Sequence, residues 1–256
     1  MGKVKSPQLR KLVIPAISSE PCQNASLVLK RAHDSSSALL KAFDLLRETR
    51  GKPRGRTTDE EQDLLRAMLV MAASGLDAMA KQLTRDALPA LVEADKTVRD
   101  GLETFIERKI RDESESPGSG GGRKFVARVL AAASRQEQVI GEYITKLTAE
   151  SLQSYEQLAA TASALGLPLT ALGVSIQGRK QELMRIFAVR NKVVHELDMN
   201  LEGYRSKRNR RGLEDMIRYT EVLLEVAENM LAAVEQKLVE SAEARPRTRE
   251  PLVSNP

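Results

Sequence analysis

The constraint that bears hardest on the fold begins at Thr58. Thr58 and Glu61 have the spacing of a capping box, in which a hydroxyl and a carboxylate satisfy each other's backbone amides at the start of a helix. Behind them Leu65, Leu69, Ala72, Leu76, Met79 and Leu83 recur at helical spacing. So long a stripe must be buried against other elements, and those read as helices too. Aromatic residues make up 3% of the chain, Trp is absent, and few β-branched runs oppose the Leu, Ala, Met, Glu, Lys and Arg that favour helix. The expected fold class is all-α, a bundle of about six helices with a core of Leu, Ala, Val and Met.

The pattern divides the 256 residues into an arm, a domain and a tail. Residues 1–23 are basic, carry prolines and are weakly patterned, which predicts a flexible arm. The helical domain spans 24–240. Its first helix runs from about Asn24 to Thr49 and is broken by "RGKPRGR", Arg50 to Arg56. The capped helix follows, with Pro89 expected to kink or end it. Further helices are expected over 96–110, over 123–165 with a break near Ser134, from about Ile176 to Leu197, and from Leu213 to Val239. "DESESPGSGGG", the core of a flexible loop over 112–122, resembles a phosphate loop only superficially, because Arg123, Lys124 and Phe125 stand where Gly-Lys-Ser/Thr is required. Residues 241–256 read as a disordered tail.

The formal net charge of +5 is mildly basic and suggests an anionic partner. One cysteine, Cys22, excludes an internal disulfide framework and a thiolate metal cluster and points to the reducing cytoplasm. With only two histidines, far apart, no metal or other cofactor is expected. No apolar run approaches the roughly 20 residues needed to cross a bilayer, so no membrane association is expected.

The informative stretch is "FAVRNKVVHELDMN", Phe187 to Asn200. Leu183, Ile186, Val193 and Leu197 form one apolar series, and Arg190 stands where another Leu belongs. An arginine on a core-facing position is costly unless it is paired or faces a cleft, and its planar fork suits a carboxylate or a phosphate. Asn191 and His195 are four apart and share the neighbouring face. His titrates near neutral pH and can move protons, while Arg can neutralise a phosphate as charge builds in a transition state. For His33, in "RAHDSS", a plain helix-surface position is expected.

"RNKVVHELD" resembles the Arg-x4–6-His signature of the HEPN superfamily, and its wording is similar to the branch called RiboL-PSP-HEPN. The resemblance implies a HEPN-like helical bundle that forms a homodimer through its motif helices. It also implies a metal-independent endoribonuclease, in which a ribose 2′-hydroxyl attacks the neighbouring phosphate, serving as a toxin, in antiviral defence or in RNA processing. An antitoxin or defence-system partner protein belongs to the same expectation. Arg190, Asn191 and His195 carry over as the motif residues. Members often carry an acidic residue on an earlier helix, and Asp77 in "SGLDAMAK" is the candidate to orient Arg190 or His195; the plain alternative is a surface pair with Lys81, worth a few tenths of a kcal/mol.

"YRSKRNRRG" adds Arg205, Lys207, Arg208, Arg210 and Arg211 beside this helix, with Tyr204 as a ring for base stacking. These cations are expected to grip RNA phosphates; otherwise they are a solubilising loop. The alternative function is a non-catalytic HEPN-like module that binds RNA or protein without cutting.

Overall fold

The computed structural model describes residues 6–51, 55–111, 121–174, 178–200 and 207–244. The fold is all-α, with eight α-helices among the described residues. They are α1 (Glu20–Thr49), α2 (Asp59–Ala94), α3 (Lys96–Arg111), α4 (Gly121–Ala131), α5 (Arg135–Thr148), α6 (Tyr155–Ala164), α7 (Arg179–Glu196) and α8 (Leu213–Ala244). The tally exceeds the expected six because Ser134 and Ser154 each cap a new helix, their hydroxyls accepting from Glu137 N and Gln157 N. No helix among the described residues is long and apolar enough to cross a membrane.

The capping box at Thr58 is present: its hydroxyl accepts from Glu61 N at 3.3 Å, and Glu61 accepts from Thr58 N at 3.0 Å. α2 is the central helix. It packs against both α1 and α8, and its Leu65, Leu69, Leu76, Met79 and Leu83 share one buried core with Leu29 and Phe43 of α1 and Leu223 and Leu231 of α8. α1 and α2 approach closely at Gly75, where an added Cβ would stand 2.1 Å from the Ala32 Cβ. Pro89 does not end α2, which continues to Ala94. A proline removes one intrahelical hydrogen bond, but burial of Leu88, Leu91 and Val92 on both sides of it holds the helix together.

The N-terminal arm differs from its expectation. Residues 10–19 are held along α8, and α1 starts at Glu20. Leu9, Leu12, Ile14 and Ile17 pack on the core. Glu221, Glu228 and Glu235, spaced by two helical turns, form a carboxylate rail on one face of α8. Glu221 accepts from Arg10 N at 2.7 Å, and Glu228 accepts from Val13 N at 2.6 Å and pairs with the Arg10 guanidinium. Glu235 accepts from the amides and hydroxyls of both Ser18 and Ser19. His33 is not a plain surface residue: its Nε2 lies 2.9 Å from the Arg10 carbonyl oxygen. Periodicity could not show this docking, since the arm is anchored by backbone amides rather than by a repeating side-chain pattern.

At the other end, Gly121 and Gly122 open α4 rather than belonging to a loop, and residues 112–120 lie outside the described residues. α8 runs to Ala244, beyond the expected Val239, and the rest of the tail lies outside the described residues.

Candidate functional site

The site is organised by α7, whose apolar face is shorter than the sequence suggests. Leu183, Ile186, Phe187 and Val189 are buried, but Val194 is 41% and Leu197 68% exposed. The core therefore ends at Arg190, which is half-buried where α7 leaves the bundle. The residue at that position keeps part of its surface in solvent, which is why an arginine is tolerated in that series. Arg190 Nη1 donates to Asn191 Oδ1 at 3.0 Å, and its buried Nε has no partner among the described residues.

Asn191 is itself fixed, donating through Nδ2 to the Gln153 carbonyl at 3.0 Å. Asp77 holds the preceding residue, with Oδ1 accepting from Leu152 N at 2.8 Å and Oδ2 pairing with Lys81 at 3.1 Å. Asp77 thus bonds neither Arg190 nor His195; it meets the motif through the segment that Asn191 grips. It also lines a cavity of about 340 Å³ with Lys81, Lys146, Leu152, Gln157 and Thr161, and none of the motif residues reaches that cavity. His195 is exposed on the last turn of α7, on the Asn191 face, with no polar partner among the described residues.

α7 stops at two consecutive left-handed residues, Leu197 (φ 51°) and Asp198 (φ 57°). Asp tolerates that region and Leu does not, so an anchor is required. Asp198 supplies it. Its side chain is fully buried, accepting from Arg66 Nε at 2.9 Å, Arg211 Nε at 3.0 Å and Asn209 Nδ2 at 3.1 Å. Burial alone would push the Asp198 carboxyl up, but the hydrogen bonds from Arg211, Arg66 and Asn209 outweigh it and hold the group below the usual carboxylate range. The chain then forms a two-stranded antiparallel ribbon, Met199–Asn200 with Lys207–Arg208.

This network reassigns much of the basic loop. Arg211 is held by Asp198, and its backbone amide donates to Gln62 Oε1 at 2.7 Å. Arg208 pairs with Asp63 and donates through Nε to the Leu197 carbonyl at 3.2 Å. Arg210 donates to the Thr57 carbonyl at 2.8 Å, and Lys207 is exposed. Arg205 and Tyr204 lie outside the described residues. Sequence reasoning missed Arg66, Asp198 and Asn209. A signal existed for Arg66, a lone cation among the buried apolar positions of α2, but nothing local pairs it with Asp198 across the fold.

Among the described residues no three His, Cys, Asp or Glu side chains gather into a group suited to a metal ion. No family model matches the chain, and no curated protein or solved structure is detectably similar to it.

Proposed function

We propose that the protein is a metal-independent endoribonuclease of HEPN type, acting as a dimer whose site combines two copies of α7. The supporting observation is the state of Arg190. It stands at the rim of the core, steered by Asn191 and with Nε unpaired, on the same helix as an exposed His195. A phosphate docked on Arg190 gains an electrostatic partner as charge grows on its oxygens. The ribose 2′-oxygen forms a bond to phosphorus, the bond to the 5′-oxygen breaks, and a cyclic phosphate results. One group must take the 2′-hydroxyl proton and another must give a proton to the leaving oxygen. The chain has two histidines, and His33 is bonded to the arm, so the second imidazole comes from a second copy. Met184 and Val194 on α7 and Leu197 just past its end are exposed apolar side chains that such a contact would cover. Such an activity suits a toxin or antiviral-defence effector restrained by a partner protein in the cytoplasm.

A second reading, a non-catalytic RNA- or protein-binding module, is favoured by one observation. Asp77, Asn191, Arg208 and Arg211 all form internal bonds of the kind that simply build a fold.

The test is cleavage of a mixed RNA substrate in EDTA by the parent and by His195→Ala. The expected result is cyclic-phosphate ends from the parent alone, with equal melting temperatures because His195 is exposed. Cleavage retained in His195→Ala, or absent in the parent, rejects the nuclease.

A further inference from the structure

Two basic segments far apart in sequence meet at one end of the bundle. One consists of Arg47 and Arg50 at the end of α1 with Arg56 ahead of α2, and the other is the stretch from Lys207 to Arg211. Arg210 donates to the Thr57 carbonyl at 2.8 Å, and Gln62 Nε2 donates both to Thr57 Oγ1 at 2.9 Å and to the Arg211 carbonyl at 3.0 Å. The same end holds the C-terminus of α7, since Arg208 donates to the Leu197 carbonyl.

The cations here divide by partner. Arg50 pairs with Glu61, Arg208 with Asp63, Arg211 with Asp198, and Arg66 with both Asp63 and Asp198. Arg47 and Arg210 instead donate to the neutral carbonyls of Gly55 and Thr57, which position a guanidinium without cancelling its charge. Arg56 and Lys207 are exposed and have no side-chain partner among the described residues. Internal pairing has therefore consumed the nearby carboxylates Glu61, Asp63 and Asp198. Asp59 and Glu60, exposed in the first turn of α2, oppose the positive field at this end.

Resting on the ribonuclease reading of α7, we propose that Arg47, Arg56, Lys207 and Arg210 form one phosphate-binding surface that leads single-stranded RNA past the C-terminal end of the motif helix. Single-stranded RNA is the fitting ligand because in-line attack by a 2′-hydroxyl needs a backbone free to leave A-form geometry. The surface also corrects the division of labour within the loop: Lys207 and Arg210 face the ligand, while Arg208 and Arg211 build the platform.

The experiment measures binding of a fluorescent 2′-O-methyl RNA oligonucleotide, which has no attacking hydroxyl, as a function of salt. Two variants are compared with the parent, Arg56→Gln/Lys207→Gln and the same pair with Arg210→Gln. The side chains of Arg56 and Lys207 hold nothing among the described residues, so the double variant tests the charge without disturbing the hydrogen bond from Arg210 to Thr57. Removing one cation that neutralises a phosphate lowers the log–log salt slope by about 0.7, so the slope falls by about 1.4 in the double and about 2 in the triple variant. Lys124→Gln, on the exposed face of α4, leaves it unchanged. Unaltered slopes in both variants overturn the surface, as does tighter binding of duplex DNA of equal length. If the parent cuts RNA while the variants bind like the parent, this surface falls and the nuclease stands. If the parent binds through these cations and never cuts, the nuclease falls and the surface stands.

Discussion

Asp77 and Asn191 hold successive residues of one short segment, Asp77 taking the Leu152 amide and Asn191 donating to the Gln153 carbonyl. The motif helix α7 and the central helix α2 are thereby connected through the segment that precedes α6. Asn191→Ala leaves the Gln153 carbonyl without this donor and frees Arg190 Nη1. Unfolding free energy is expected to fall by about 1 kcal/mol in urea titration. On the nuclease reading cleavage falls as well, and Asn191→Asp, which accepts from Arg190 but cannot donate to Gln153, separates the two effects.

Asp198 carries a larger share of stability. Asp198→Asn removes the buried carboxylate shared by Arg66, 4% exposed, and Arg211, and leaves Arg66 only the exposed Asp63 as a charged partner. A loss of about 3 kcal/mol is expected in denaturant unfolding. The pH dependence has a definite sign. The folded carboxyl is held below its ordinary value of 3.8, so its stabilisation is full above that value and is lost as pH falls through the lower folded one. The parent is expected to lose this stability in acid while Asp198→Asn does not.

Glu235 fixes the reversal that leads from the arm into α1. Burial by itself raises its carboxyl, but hydrogen bonds from Ser19 and Ser18 prevail and bring it from 4.5 down to about 2. Its contribution is complete above pH 4.5 and disappears between there and about pH 2. Glu235→Gln is expected to cost about 2 kcal/mol and to speed hydrogen exchange at Ser18 and Ser19. Unchanged exchange there would show that Leu9, Leu12, Ile14 and Ile17 hold the arm without the carboxylate.

Gly75→Ala tests the packing of α1 on α2. The new methyl would lie 2.1 Å from the Ala32 Cβ, so the helices must separate. Overpacking of this kind costs about 1–3 kcal/mol, read as a lower melting temperature. Pairing it with Ala32→Gly is expected to recover most of the loss, because the second change removes the opposing methyl.

What the sequence determined by itself is local. The capping box at Thr58, the stripe from Leu65 to Leu83, the break at Ser134 and the placement of Arg190, Asn191 and His195 on one helix all follow from spacing, because helix geometry repeats every few residues. Tertiary structure decided what those residues touch. Asp77, the candidate to orient the motif, instead holds Leu152; Arg208 and Arg211, expected RNA ligands, are bound to Asp63 and Asp198; the arm, expected to be flexible, is held by three glutamates of α8. A charged side chain finds its partner wherever the fold delivers an opposite charge or a carbonyl out of water, and that pairing leaves no period in the sequence. Only the fold could separate the cations that build the end of the bundle from Arg47, Arg56, Lys207 and Arg210, whose charge it leaves uncancelled.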